Sequence, residues 1–66
     1  MTIVVNGTQQ DVRDGWTVDD LVEQMQLPRK GVAVARNGDV VLRSQWPTTP
    51  IEHGDRIEVL HAVQGG

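Results

Sequence analysis

Thr17-Val18-Asp19-Asp20-Leu21-Val22-Glu23-Gln24-Met25-Gln26-Leu27-Pro28 is the stretch that decides the fold. Val18, Leu21, Val22 and Met25 recur at i, i+3, i+4 and i+7, which is one buried stripe of an amphipathic helix. Thr17 is a residue that caps a helix N-terminus, and Asp19 and Asp20 place negative charge where the helix dipole favours it. Pro28 cannot lie inside the helix, and it biases Leu27 away from helical angles, so the helix is expected to end near Gln26. On both sides of this segment the period falls to two. Upstream, Thr2 to Val5 is β-branched throughout, with Ile3 and Val5 on one face. Asn6-Gly7 is a strong hairpin signal, because both residues accept positive φ. A return strand is expected over Gln10 to Arg13, carrying Val12 inward. Downstream, Val32 to Arg36 alternates Val32 and Val34 against Ala33 and Ala35. Asn37-Gly38 is a second hairpin signal before Asp39 and Val40-Val41-Leu42. Ser44 to Pro50 reads as a polar, proline-bearing connection around Trp46, and His53-Gly54-Asp55 as a turn. Arg56 to Val63 is the last strand, with Ile57, Val59, His61 and Val63 opposite Glu58, Leu60 and Ala62. Strand, strand, helix, strand, strand, strand is an α+β order.

The 66 residues allow one domain, expected over 1–63, with 64–66 as a tail. A chain of this length buries only ~60% of the surface its unfolded form exposes, which leaves little room for an enclosed catalytic cleft. The hydrophobic fraction of 38% supports one thin core. No apolar run approaches the ~20 residues of a bilayer span, so no membrane partner is expected. Met1 to Val5 lacks the basic flank of a secretory signal. The absence of cysteine removes disulfides, a thiol nucleophile and thiolate metal ligands, and the expected location is the cytoplasm. Six basic residues are scattered along a chain of net charge -3, so nucleic acid is not an expected partner.

The most informative feature is the end. Gly65 and Gly66 have no Cβ and little cross-section. Beyond Val63, three residues of extended chain would carry a carboxylate roughly 10 Å from the sheet, enough to thread a narrow channel in another protein. The surrounding residues resemble a known family. Gly54-Asp55-Arg56-Ile57-Glu58-Val59-Leu60 leading to Ala62-Val63-Gln64-Gly65-Gly66 is similar to the bacterial sulfur carriers of thiamine biosynthesis. So are Val32-Ala33-Val34-Ala35-Arg36-Asn37-Gly38, Val40-Val41, Arg43-Ser44-Gln45-Trp46 and Ile3-Val4-Val5-Asn6-Gly7. Gln64 departs from the small residue common there.

The resemblance implies a ubiquitin-like β-grasp fold, a mixed sheet of about five strands with one packed helix. It implies a protein cosubstrate, not an enzyme. The carboxylate of Gly66 would be adenylated by an enzyme of the ubiquitin-activating type, which uses ATP and magnesium; the carrier itself would bind no cofactor. Sulfur from a donor such as a cysteine desulfurase would convert it to a thiocarboxylate, and thiazole synthase would consume that sulfur. The free carrier is expected to be a monomer. A terminal Gly-Gly is shared with the molybdopterin-pathway carrier and with ubiquitin-like modifiers, so a sulfur carrier for molybdopterin or cysteine synthesis and a ubiquitin-like conjugation or binding module remain open alternatives.

The other polar residues carry bland readings. His53 and His61 lack the further ligands of a metal site and a named partner for proton transfer. Asp19, Asp20 and Glu23 suit a solvated, dipole-matched helix face. Trp16 and Trp46 suit packing anchors. Leu60 alternates away from Ile57 and Val59, so it is an exposed apolar residue beside the tail. With Ala62 it forms the candidate docking site for a partner.

Overall fold

Two Asn-Gly pairs build the hairpins from which the sheet is assembled. The computed structural model describes residues 1–62. Asn6 and Gly7 take φ values of 51° and 83°, and Asn37 and Gly38 take 52° and 88°. Positive φ at both central residues gives the turn twist that matches two antiparallel strands. The first turn joins β1 (Thr2–Val5) to β2 (Thr8–Asp11). The second joins β3 (Val32–Arg36) to β4 (Asp39–Val41). The last strand, β5 (Arg56–His61), lies between the hairpins, parallel to β1 and antiparallel to β3. The strand order is β2-β1-β5-β3-β4, a mixed five-stranded sheet.

The one α-helix among the described residues, α1 (Val18–Gln24), crosses one face of this sheet. Its capping box is reciprocal. Thr17 Oγ1 accepts from the Asp20 N–H at 3.3 Å, and Asp20 Oδ2 accepts from the Thr17 N–H at 2.8 Å. The helix ends slightly earlier than expected, with Met25 as its cap and Gln26 turned to φ 59°. A left-handed residue directly after the cap is a common way to stop a helix, and here it acts before Pro28 can.

Val18, Leu21 and Val22 are fully buried against Ile3, Val5, Val34, Ile57 and Val59 of the sheet, and Met25 packs partly on the same core. Two hairpins, one crossing helix and a central closing strand make this the β-grasp fold.

Two expectations need correction. The return strand runs over Thr8–Asp11, not Gln10 to Arg13, because a two-residue turn starts pairing immediately after Gly7. Val12 is buried as expected, but it follows the strand, where its N–H donates to the Met1 carbonyl at 2.8 Å. The connection around Trp46 is a 3-10 helix over Arg43–Thr48. It buries Trp46 to 1% exposure, with the indole N–H donating to the Val41 carbonyl at 3.0 Å. Trp16 is only half-buried, against the edge of the core. The expected end of the last strand at Val63 and the boundary at 63/64 lie outside the described residues.

Candidate functional site

The side chains of β5 divide between two faces. Ile57 and Val59 point into the core, and Glu58 and Leu60 point away from the helix. Leu60 is 67% exposed, as the alternation predicts. Ala62 is also exposed, and its N–H donates to the Gly31 carbonyl at 2.9 Å. Gly31 makes that contact with φ 80°, a conformation strained for residues with a side chain. The candidate tail residues Gln64, Gly65 and Gly66 lie outside the described residues.

Leu60 does not stand alone. The register sets it opposite Ala33, and it sets Ala35 between Glu58 and Val40. Val40 is 72% exposed and Leu42, just beyond β4, is 59% exposed. The two alanines of β3 are short, so Leu60 and Val40 stand as walls of a shallow apolar trough, lined also by Glu58. An apolar strip with a charged residue at its margin has the anatomy of a protein-docking surface. Sequence reading found Leu60 but missed Val40 and the alanine floor. The available signal was the Ala33/Ala35 alternation; the missing part was the cross-strand register.

The start of β5 is fixed by a buried carboxylate. Asp55 is 5% exposed. It accepts from Arg36 Nε at 2.6 Å, Arg36 Nη2 at 3.3 Å, Asn37 Nδ2 at 2.9 Å and the Glu52 N–H at 2.8 Å. Burial pushes its carboxyl pKa up. The hydrogen bonds from Arg36, Glu52 and Asn37, with the Arg36 charge, outweigh that and hold it below the ordinary value. This group organises the turn rather than presenting chemistry.

His53 faces the N-terminal strand, where its Nδ1 accepts from the Thr2 N–H at 3.0 Å. His61 lies at the end of β5, beside Lys30, Gly31 and Ala62. Asp19 pairs with Arg29, which also approaches Glu23, so these acids form a solvated helix face. Among the described residues, no three of the His, Cys, Asp and Glu side chains gather as a metal site. No helix among them is long and apolar enough to cross a membrane.

A β-grasp sheet with an apolar strip on its outward face, and with a Gly-Gly sequence following its central strand, places the chain in the ubiquitin-like class. The profile of the ThiS family matches residues 3–66. The sulfur carrier protein ThiS of Escherichia coli is 33% identical over 66 residues, covering all of both chains. The crystal structure of a thiamine biosynthesis protein (ThiS) from Geobacter metallireducens superposes with a TM-score of 0.80 at 31% identity, again covering all of both chains. A thiazole synthase of Paramagnetospirillum magneticum is 29% identical to the whole of this chain, which spans 20% of that protein's length. This chain belongs to the ThiS family, the sulfur carriers of thiamine biosynthesis.

Proposed function

We propose that Gly66 carries the reacting group and that the trough around Leu60 docks the enzymes that act on it. The observation that carries this reading is the family match, which runs through the Gly-Gly pair to residue 66. A carboxylate is a poor electrophile, because its charge is delocalised over two oxygens. The Gly66 carboxylate attacks the α-phosphorus of ATP on an adenylating enzyme of the ubiquitin-activating type, and pyrophosphate leaves. The acyl-adenylate then has a good leaving group. A persulfide, supplied through a donor such as a cysteine desulfurase, forms the new carbon–sulfur bond as AMP departs, and a thiol then reduces the S–S bond of the acyl disulfide to release the sulfur on Gly66. The resulting thiocarboxylate is a soft nucleophile for thiazole synthase. ATP and magnesium belong to the adenylating enzyme. The carrier supplies an accessible acyl group and a surface that identifies it.

Leu60 and Ala62 link the two parts of this site, since both lie on the segment that leads into Gln64, Gly65 and Gly66. The thiazole synthase relatives that contain a stretch similar to this whole chain support thiazole synthase as the consumer of the sulfur. The cysteine-free composition suits the reducing cytoplasm.

The test is mass spectrometry of the full chain incubated with ATP, its cognate adenylating enzyme and a sulfur donor. The expected product gains the mass difference between sulfur and oxygen at Gly66. Deleting Gly66 is expected to abolish loading and to leave the circular dichroism spectrum unchanged. A truncated chain that still loads sulfur would remove Gly66 from the chemistry, and isopeptide adducts on other proteins would indicate conjugation instead.

A further inference from the structure

We infer that Asn6 is a positioning residue for the acyl tail: its carboxamide clamps the last strand at Val59 and so sets the direction in which the chain leaves the sheet. This rests on the reading of Gly66 as the reacting end.

The clamp answers a gap in the sheet. β1 pairs with β5 only through Val4 with Arg56 and Val5 with Ile57. The Asn6 N–H then donates to the Ile57 carbonyl at 2.9 Å, and the chain turns away at Gly7. β5 continues to His61. The Asn6 side chain fills the next position on that side. Its Oδ1 accepts from the Val59 N–H at 2.9 Å, and its Nδ2 donates to the Val59 carbonyl at 3.2 Å. A carboxamide has the donor and acceptor of a peptide group, so it extends β1 by one paired position after the backbone has gone. Asn6 is exposed but Val59 is only 6% exposed, so the two bonds are half-buried and water replaces them incompletely.

Turn geometry alone does not require the carboxamide, because glycine also accepts the φ of 51°. Asn37 occupies the same turn position in the second hairpin, and its clamp falls at the other end of the strand. Its Oδ1 accepts from the Arg56 N–H, and its Nδ2 donates to Asp55 Oδ1, both at 2.9 Å. The two turns therefore grip β5 from opposite sides, Asn37 at its start and Asn6 near its exit.

Val59 lies seven positions before Gly66. β3 and Gly31 hold the chain through Ala62, so when a partner draws the four residues beyond it out extended they form a lever of roughly 13 Å at ~3.3 Å per residue, and a tilt of the strand end by about 5° moves its tip by about 1 Å. A misplacement of about 1 Å can cost on the order of a hundredfold in rate. Docking on the trough sets affinity, and the clamp sets how often the docked carboxylate meets ATP.

The test compares Asn6→Gly with Asn37→Gly in the full chain. Each keeps its turn and loses its clamp. Amide exchange is read at Val59, and ATP–pyrophosphate exchange is measured with the cognate adenylating enzyme. Asn6→Gly is expected to speed Val59 exchange about tenfold or more and to lower kcat about tenfold, with KM within about twofold of wild type. Asn37→Gly is expected to lose similar thermal stability while keeping kcat and KM. Wild-type kcat in Asn6→Gly, or an equal fall in Asn37→Gly, would overturn the positioning role. If the wild-type chain supports no pyrophosphate exchange, the adenylation reading fails instead. Val59 protection then still decides the clamp, and unchanged protection in Asn6→Gly overturns it.

Discussion

Asp55 shows how one side chain can organise a small domain. In the turn that launches β5, its carboxylate receives four hydrogen bonds, two of them from Arg36 of β3. Replacing it by asparagine keeps the shape but removes the charge and turns an acceptor into a donor facing other donors. Breaking a buried ion pair typically costs ~3–5 kcal/mol. The Arg36 side chain is 27% exposed and can regain water, so Asp55→Asn is expected to cost about 3 kcal/mol at pH 7. The pH dependence follows from the direction of the shift. The folded-state pKa is depressed below the ordinary value of 3.8, so the stabilisation is complete above that value. It is lost as pH falls from there through the lower folded-state value. The stability gap between wild type and Asp55→Asn is therefore expected to be widest near neutrality and to close below about pH 4 in urea titrations. A gap that stays constant into acid would show that the charge contributes nothing.

At the scale of the elements, the legible parts were those written in local chemistry. Thr17 and the Val18, Leu21, Val22 stripe placed α1, and Asn6-Gly7 and Asn37-Gly38 placed both hairpins. Leu60 could be read as outward-facing because strand alternation is a local property. The trough around it could not, because the contacts of Leu60 with Ala33 and of Ala35 with Val40 depend on register between strands distant in sequence. Neither could the clamps of Asn6 and Asn37, since a turn signal says nothing about what the carboxamide reaches. The 3-10 helix at Arg43–Thr48 was also hidden. It is short, contains Pro47, and buries only Trp46, so it leaves no periodic apolar stripe. Its place in the fold depends on that one indole, which fills core volume and satisfies the Val41 carbonyl. Trp46→Phe keeps an aromatic ring and removes the N–H donor. The expected loss is about 2 kcal/mol, combining an unsatisfied buried carbonyl with lost packing. The check is the midpoint of chemical unfolding, and an unchanged midpoint would show that the hydrogen bond adds no net stability.

The whole molecule separates its tasks by face. One side of the sheet is closed by α1 and Trp46, and the residues that hold the domain together lie there. The other side leaves Val40, Leu42 and Leu60 in solvent, although a chain of this size has little apolar surface to spare. Exposed apolar residues collected on one face contribute to binding rather than folding. The two sides should therefore respond differently to mutation. Leu60→Thr keeps a residue that favours strands and removes the apolar wall. It is expected to raise the KM of the adenylating enzyme for the carrier about tenfold, equivalent to about 1.4 kcal/mol of docking energy. Its melting temperature should stay within about 4 °C of wild type, since surface changes of this kind seldom exceed about 0.5 kcal/mol. Ile57→Val, on the same strand but fully buried, should do the reverse. It removes one methylene at about 1 kcal/mol, lowering the melting temperature by about 4–8 °C with KM unchanged. Both variants keep the Asn6 clamp on Val59, so neither should reproduce the fall in kcat expected of Asn6→Gly. Equal KM for Leu60→Thr and wild type would remove the trough from the docking surface. A rise in KM for Ile57→Val would mean that the core and the docking face are mechanically coupled through the sheet.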